Sequence, residues 1–387
     1  MADNEIRIGA LATNIGPFAA IGKDGIRGVE MAITEFGGQI AGRKIKLFKA
    51  GSNAMPEDAY SKAQELVEQR RVDFMVGPLS GNEGMAVRDY AKTQPERTFI
   101  NGVSAGQDMT LRDPAPNFFS FSTNGVQWMA GLGNYAYHTL GYRRVATIAE
   151  DYSFPHSQVR GFALPFCQAG GEIAKKLWVF LGKMTFSDVL AQLPDDIDAI
   201  FVAVSSTSAI HFFEQYYEAG GTLPLMCGTN TGDPTTLNIH GPLAEKLVGM
   251  VSAGPVVDGN PHPAWQTFAQ AYREHAPAGQ HFPSMAAHGY YVNTKAALLA
   301  LQMVDGDLSG RQERFKAALQ DLAFDTPTGP VRLDHNRQAI ADIYLKQLDL
   351  QVDGSLYSML VDITPEVNST LGMPEADYLT LGPIGRD

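Results

Sequence analysis

The chain has 387 residues, of which 44% are apolar and 19% charged, and its formal net charge is −12. This length predicts two domains, and this composition predicts a folded rather than a disordered protein. An acidic chain without a basic stripe argues against nucleic acid and against an anionic membrane surface as partners. No apolar run approaches the ~20 residues that a membrane-spanning helix needs.

Strands and helices alternate along the first third of the chain. Residues 5–11 alternate apolar and polar side chains, which predicts the first strand, and a loop over 16–22 leads into a helix that ends at Gly37. The elements predicted next are strand 44–48, helix 57–70, strand 72–76, helix 83–92 and strand 98–101. This alternation predicts βαβ units and a mainly parallel sheet.

A second series of the same kind follows after a pause near residue 122. Its predicted elements are helix 127–140, strand 144–149, helix 157–169, strands 176–180 and 199–204, helix 208–219, and strands 223–227 and 247–253. Two helices, 264–275 and 285–304, and extended segments 324–333 and 339–350 come last. We therefore predict an α/β fold with two similar lobes, each a mainly parallel sheet flanked by helices.

Each predicted lobe is built from two separate segments of the chain. The N-terminal lobe comprises 4–122 and 256–325, the C-terminal lobe comprises 123–255 and 326–365, and 366–387 is a tail. No basic region followed by an apolar one precedes Asp3, so the N-terminus is either cytoplasmic or already processed. Cys167 and Cys227 show no spacing that assigns a disulfide, and we expect two buried small apolar residues.

One short motif matches a catalytic pattern. Gly102 to Gly106 reads G-x-S-x-G, the nucleophile elbow of α/β-hydrolases, with Ser104 as the nucleophile. The helix that this elbow needs is cut short, because Pro114 and Pro116 follow closely. Dinucleotide, phosphate-loop and zinc-protease motifs do not match, and the histidines lack ligand spacing. We expect no cofactor and no metal.

Polar residues recur where predicted strands end. Ser80, Asn82 and Ser104 follow strands of the first series, and Phe154, Ser205 and the run from Thr229 to Thr231 follow strands of the second. In open α/β sheets ligands lie beyond the carboxyl ends of the strands, where helix N-termini offer unpaired N–H groups to anions. Each of these residues alone could also be an ordinary helix cap.

The order of several motifs resembles the periplasmic binding proteins for branched-chain amino acids. These motifs are 6–11, 16–22, Gly-x-Glu-x-Ala at 28–32, 76–78, 151–154, 218–220 and 328–331. The resemblance implies a type I periplasmic binding fold, two lobes joined by three crossings that close on a ligand in the cleft between them. It also implies a non-catalytic protein that delivers its ligand to the membrane permease of an ABC importer. We expect a periplasmic monomer whose signal peptide has been removed.

The resemblance also assigns ligand-binding residues. In the first lobe, hydroxyl groups and amides hold the ligand carboxylate, and a loop aromatic is replaced by Ile21. In the second lobe, Phe154 matches an aromatic residue, whereas Ser205 and Ser206 replace aromatics. The first-lobe positions that match the carboxylate site are Ser80, Gly81, Asn82, Val103, Ser104 and Ala105.

The acid that pairs with the ligand ammonium in the amino-acid binders has no match. Thr229 or Asn230 stands at its position, and Asp233 is nearby but shifted. A buried ammonium without a counter-charge would cost several kcal/mol, so we expect a carboxylate ligand without an α-amino group, an aromatic or other apolar acid. Phe18, Phe154 and Tyr290 could stack on it or belong to the core. The alternatives are an amino-acid binder, a sensor or receptor domain, and a serine hydrolase.

Overall fold

The structure is a computed structural model that describes residues 5–233, 237, 239–277 and 279–386, without the side chain of residue 206. Residues 4 and 387, at the ends of predicted ranges, lie outside the described residues. The strands are β1 (Glu5–Thr13), β2 (Gln39–Ile40), β3 (Arg43–Ser52), β4 (Phe74–Val76), β5 (Thr98–Ile100), β6 (Phe118–Phe119), β7 (Arg144–Glu150), β8 (Glu172–Val179), β9 (Ala199–Ala203), β10 (Leu225–Cys227), β11 (Val251–Gly254), β12 (Ala323–Thr326), β13 (Gly329–Leu333), β14 (Ala339–Leu350) and β15 (Leu356–Val367).

The helices vary from four to 19 residues in length. They are α1 (Ala19–Glu35), α2 (Pro56–Gln64), α3 (Gly81–Lys92), α4 (Leu132–His138), α5 (Ser153–Gln168), α6 (Ser187–Leu190), α7 (Ser206–Glu218), α8 (Pro242–Leu247), α9 (Pro263–Arg273), α10 (Met285–Met303), α11 (Glu313–Asp321) and α12 (Glu375–Leu379). Short 3₁₀ turns precede α1 and α4, and a π-helical turn, Glu65–Gln69, extends α2.

The chain forms two compact units. The first unit comprises residues 1–124 and 262–341, and the second comprises 125–261 and 342–387. The chain thus passes from one unit to the other three times, the last time within β14. Residues 326–341 lie in the first unit, whereas the sequence assigned them to the C-terminal lobe. The predicted lobes and the C-terminal tail, with the bounds given above, stay a prediction.

The sheet of the first unit has the strand order β2-β3-β1-β4-β5-β6. β1 pairs in parallel with β3 and β4, and β5 pairs in parallel with β4 and β6, whereas β2 is antiparallel. β4 and β5 are buried along their whole length, as expected for central strands of a sheet covered on both faces. The carboxyl ends of β1, β3, β4 and β5 therefore meet at one edge of this sheet.

The second unit repeats this arrangement with the strand order β14-β11-β10-β9-β7-β8, and β15 pairs with β14. The five strands from β7 to β11 run parallel to one another. The edge of this parallel set, β11, pairs with β14 in antiparallel orientation. An apolar core that includes Ile148, Val202, Phe212 and Leu247 covers one face of the sheet. The predicted fold class, α/β with two mainly parallel sheets flanked by helices, is confirmed.

Some local predictions were wrong. Helix α1 starts at Ala19, within the predicted loop, because the 3₁₀ turn Gly16–Phe18 runs directly into it. The predicted helix 127–140 is interrupted at Gly131, whose φ of +83° belongs to the left-handed region that favours glycine. The strands and helices that the sequence analysis missed are β2, β6, α6, α8, α11, α12 and β15. Most of them are short or half exposed, so their apolar periodicity is weak.

Both cysteines are free thiols. Cys227 is buried, as predicted, and burial raises its pKa to about 11. Cys167 is exposed, so the expectation of a buried residue was wrong there. The reason is its position near the end of α5, on the solvent side of the helix.

Residues 5–233 and the other described ranges lack two kinds of feature. No described helix combines the length and apolar character needed to cross a membrane. Within the same residues, no three His, Cys, Asp or Glu side chains are grouped so that they could hold a metal ion.

Candidate functional site

The first unit places Ser80 at the start of a helix, directly beyond the end of β4. Gly77 links the strand to this helix with a φ of +132°, and a Cβ atom there would overlap the carbonyl oxygen of Leu11, so only glycine fits. Ser80 is the N-cap of α3 and accepts a hydrogen bond from the backbone N–H of Glu83 (3.4 Å). The positive end of α3 therefore points out of the carboxyl edge of the sheet.

The carboxylate of Glu83 joins three strand ends beneath this helix terminus. It accepts hydrogen bonds from the backbone N–H of Ser80 (2.9 Å), from the hydroxyl of Thr13 (2.8 Å) and from the hydroxyl of Ser52. Thr13 ends β1 and Ser52 ends β3, and all three side chains at this point are buried. Glu83 thus fixes the position of the α3 N-terminus relative to the sheet.

Ser104 is held from both sides. Its hydroxyl donates to the carbonyl of Ser80 (2.8 Å), and its backbone N–H donates to Oδ1 of Asn101 (3.1 Å). A Cβ atom at Gly84 would overlap the Ser104 hydroxyl, so the loop after β5 lies directly on α3. Because the hydroxyl of Ser104 donates to a carbonyl oxygen and not to an imidazole, it is not arranged as an activated nucleophile.

The other first-lobe residues of the predicted site lie around these two serines. Gly81 is the first residue of α3 and Asn82 the second, and Asn82 is partly exposed. Val103 and Ala105 flank Ser104 and are buried, and the N–H of Val103 donates to the carbonyl of Pro78. The structure therefore gathers the residues near Ser80 and Ser104 at one edge, while Ile21 lies buried in the first turn of α1.

Two aromatic residues suggested for stacking belong to the core of the first unit. Tyr290 is fully buried, and its hydroxyl donates to the carbonyl of Leu11 (2.7 Å). Phe18 is 1% exposed. The neighbouring His288 is also buried, with Nε2 3.1 Å from the hydroxyl of Thr328, and burial lowers its pKa to about 3.

In the second unit, a buried acid lies at the corresponding edge. Glu150 is the last residue of β7, and its Oε2 accepts a hydrogen bond from the hydroxyl of Ser205 (2.5 Å), which follows β9. Both side chains are buried. Burial raises the pKa of Glu150 to about 7, although the Ser205 hydroxyl and the backbone N–H groups of Gly182 and Ser205 act in the opposite direction. Its Oε1 has no hydrogen-bond partner among the described residues.

Thr229 and Asn230 follow β10 at the same edge. The hydroxyl of Thr229 donates to the carbonyl of Ala253 (2.8 Å) and accepts from the side-chain amide of Gln158 (2.9 Å). Its hydrogen and one of its lone pairs are therefore both engaged within the protein. Asn230 is 6% exposed, and its Oδ1 is buried with no partner in the described part of the chain. Asp233, the shifted acid, is buried, and its N–H donates to the carbonyl of Asn230.

Phe154 is placed by the first turn of α5, just after β7. Its ring packs edge-to-face against Trp128 with centroids 5.4 Å apart, and lies 6.3 Å from the ring of Tyr152. It is 5% exposed. The side chain of Ser206, the other predicted serine, lies outside the described residues. Phe154, Ser205, Thr229 and Asn230 therefore belong to neighbouring strand ends of a single sheet.

Sequence reasoning missed three residues that organise these edges, namely Glu83, Glu150 and Gln158. Glu83 had a readable signal, because Ser80 followed by Glu three residues later is the capping-box pattern. Glu150 directly ends an apolar strand, so the same rule that selected Ser205 would have selected it. Gln158 gave no signal, since only folding brings it to Thr229 across 71 residues.

The fold and these edges define a class of protein before any comparison. Two α/β units whose parallel strands end in polar residues, one of them at a helix N-terminus, have the features of a protein that binds a small molecule. The edge of the first unit offers donors at a helix N-terminus, and the edge of the second unit offers acceptors.

Comparison with known proteins assigns the chain more narrowly. A family model described as "Periplasmic binding protein" matches residues 5–354. The Leu/Ile/Val-binding protein homolog 6 of Brucella suis biovar 1 (strain 1330) is 24% identical over 362 residues, which cover 91% of this chain and 90% of that protein. The chain belongs to the periplasmic binding protein family.

Solved structures agree with this assignment. An ABC transporter substrate-binding protein from Sphaerobacter thermophilus is 30% identical, with 94% of this chain and 98% of that chain covered and a TM-score of 0.85. A solute-binding protein of an ABC transporter from Rhodopseudomonas palustris BisB5, in complex with 3,4-dihydroxybenzoic acid, is 24% identical. The match covers 95% of this chain and 99% of that chain, with a TM-score of 0.86. This chain is thus a substrate-binding protein of the ABC-transporter type and not an enzyme, and the serine hydrolase alternative is dropped.

Proposed function

We propose that this protein binds a small carboxylate ligand, an aromatic or other apolar acid without an α-amino group, and delivers it to the membrane permease of an ABC importer. The first-unit residues proposed to hold the carboxylate are Ser80, Gly81, Asn82, Val103, Ser104 and Ala105. The second-unit residues proposed to contact the rest of the ligand are Phe154, Ser205, Thr229 and Asn230. Ile21 is proposed to pack near the ligand.

The observation that carries this proposal is the donor character of the first-unit edge. The α3 N-terminus and the Ser80 hydroxyl provide donors for a carboxylate, and the buried Glu83 holds them in place. Hydrogen bonds to an anion are about twice as strong as those between neutral groups, so such an edge favours a carboxylate over a neutral group.

The edge of the second unit supports a ligand without an α-amino group. Thr229 stands where the amino-acid binders carry an acid, and its hydroxyl is occupied by Ala253 and Gln158. The R. palustris protein bound to 3,4-dihydroxybenzoic acid is a fold relative whose ligand has this chemistry. The name of the Brucella relative favours branched-chain amino acids as the second candidate.

The test is isothermal titration calorimetry of the whole protein, freed of any co-purified ligand by unfolding and refolding. Benzoate, its hydroxylated derivatives and phenylacetate are compared with leucine and valine at equal concentration. We expect one or more aromatic acids to bind with a Kd at least about 100-fold lower than leucine, a difference of about 3 kcal/mol. Tight binding of leucine or valine without binding of any aromatic acid would reject the proposed ligand class.

Location and assembly follow from the same proposal. A periplasmic binding protein works outside the cytoplasmic membrane, and we propose the periplasm for this chain. The permease partner, the monomeric state and the predicted closure of two lobes on the ligand remain predictions. Native mass spectrometry of the purified protein checks the monomer and any retained ligand in one measurement.

A further inference from the structure

Two buried acceptor oxygens at the edge of the second unit have no donor among the residues that the structure describes. Neither Oε1 of Glu150 nor Oδ1 of Asn230 has a hydrogen-bond partner within the described residues. Glu150 is 0% exposed and Asn230 is 6% exposed, so water does not readily replace a partner. Buried polar atoms in folded proteins are almost always paired, and each exception needs an explanation.

The strand order places both oxygens at one edge. β7 and β10 both lie beside β9, and all three strands run parallel. Glu150 ends β7, Ser205 comes two residues after β9, and Asn230 comes three residues after β10. The hydrogen bond between Ser205 and Glu150 shows that these strand ends are within side-chain reach of each other.

Three side-chain donors at this edge are already used. The Ser205 hydroxyl donates to Oε2 of Glu150, the Thr229 hydroxyl donates to Ala253, and the Gln158 amide donates to Thr229. The capacity left on the two oxygens, Oε1 of Glu150 and Oδ1 of Asn230, is capacity to accept. A ligand that satisfies it has to bring a donor.

Resting on the proposed function, we infer that the ligand is an aromatic acid that carries a neutral hydroxyl group. Glu150 accepts the hydrogen bond of this hydroxyl through Oε1, and Asn230 lies beside it as a second polar contact. The carboxylate belongs to the donor edge of the first unit.

A hydroxyl fits this edge better than an ammonium does. An ammonium needs a fully charged partner and several acceptors, because a buried cation without them is strongly unfavourable. Burial disfavours the charged form of Glu150 and raises its pKa to about 7. A phenolic hydroxyl needs only one acceptor oxygen, which the carboxyl group supplies in either protonation state.

The test compares matched ligands by calorimetry on the whole protein. The ligands are benzoate, 3-hydroxybenzoate, 4-hydroxybenzoate, 3,4-dihydroxybenzoate and the methoxy analogues of the two monohydroxy acids. We expect at least one hydroxylated acid to bind about 10-fold or more tightly than benzoate, because a buried acceptor that stays unpaired weakens binding by about that factor. The methoxy analogue, which cannot donate, loses this advantage.

Variants then assign the effect to Glu150. In Glu150→Ala, the ratio of the benzoate Kd to the hydroxybenzoate Kd falls to about 1, whereas Glu150→Gln keeps an acceptor oxygen and most of the ratio. Glu218→Gln, at an exposed position at the end of α7, is the matched control and leaves the ratio unchanged. Thermal unfolding of each variant confirms folding, and the wild-type ligand series decides the question if Glu150→Ala does not fold.

The outcomes separate this inference from the proposed function. Equal Kd values for benzoate and every hydroxylated acid overturn the inference while the proposed function stands. A ratio that survives in Glu150→Ala overturns the assignment to Glu150. Binding of leucine alone, lost in Glu150→Gln, means that the donor is an ammonium, and it overturns both.

Discussion

The hydroxyl of Ser104 donates a 2.8 Å hydrogen bond to the backbone carbonyl of Ser80. This bond joins the loop after β5 to the N-cap residue of α3, across 24 residues of sequence. Ser104 also stands in the middle of a G-x-S-x-G match, so the same hydroxyl that suggested a nucleophile instead fixes the shape of the candidate carboxylate site.

Replacing Ser104 by alanine tests this role. We expect Ser104→Ala to lower the free energy of unfolding by about 1 kcal/mol, because the buried carbonyl of Ser80 loses one of its two donors and keeps the N–H of Gly84 (3.0 Å). Urea unfolding followed by circular dichroism measures the change. Ser61→Ala, on the exposed side of α2, is the control and should change the free energy by less than about 0.5 kcal/mol. A Ser104→Ala protein as stable as wild type would show that this bond contributes little.

We expect the free energy of unfolding to fall further when Glu83 is replaced than when Ser104 is replaced. In Glu83→Gln, one of the two oxygens that accept from Thr13, Ser52 and the Ser80 N–H becomes an amide nitrogen, and the hydrogen bonds that remain run to a neutral amide and not to a carboxylate. We expect a loss of about 2–3 kcal/mol in the free energy of unfolding. Glu57→Gln, an exposed first-turn glutamate of α2, serves as control and loses only a few tenths of a kcal/mol. Similar losses in the two variants would contradict the three-way role of Glu83.

Glu150 should make the protein less stable as the pH rises. Its pKa is about 7 in the folded protein and ordinarily 4.5, so the folded state holds a proton that the unfolded state has lost. This contribution is fully present below pH 4.5 and is lost as the pH rises through 7, by about 3 kcal/mol in total. Urea unfolding of wild type and Glu150→Gln between pH 4.5 and 8 measures it. The difference between the two proteins should change with pH, and a constant difference would argue against a raised pKa.

His288 should make the protein less stable as the pH falls, which is the opposite of the effect of Glu150. Burial lowers its pKa from 6.5 to about 3, so the unfolded state takes up a proton that the folded state does not. The stability that this contributes is present above pH 6.5 and is lost on acidification, by about 2 kcal/mol at pH 5. His288→Gln should flatten the fall in stability between pH 7 and 5. His281→Gln, at an exposed position, should keep the wild-type slope. An unchanged slope in His288→Gln would exclude this histidine as the cause.

Asn230→Asp tests the proposed ligand class directly. A carboxylate at this position should weaken the binding of an aromatic acid by about 10-fold or more and narrow the gap to leucine, since the site gains a charge that repels carboxylates and attracts an ammonium. Calorimetry with both ligands measures the change. Asn134→Asp adds the same charge at an exposed position of α4 and should leave both Kd values unchanged. A selective gain in leucine affinity supports the missing acid as the reason for the ligand class.

Much of the architecture could be predicted from local pattern. The apolar runs at β4, β7 and β9, each followed by a helical period, were sufficient for the βα series and for two mainly parallel sheets. Ser80 and Ser205 were found for the same reason, because the residue after a parallel strand lies at the carboxyl edge wherever the sheet forms. Weakly periodic or half-exposed elements such as β15 were missed.

Tertiary structure alone decided which of these polar groups remain available. The sequence shows a serine at 104 and a threonine at 229, but not that Ser80 and Ala253 occupy their hydroxyls. It shows a glutamate at 150 but not that its Oε1 is buried without a partner among the described residues. Hydrogen-bond saturation depends on contacts between residues far apart in the chain, and periodicity carries no information on them. The sequence therefore determined where the polar strand ends of each sheet lie, and folding determined which of their hydrogen-bonding groups are already paired.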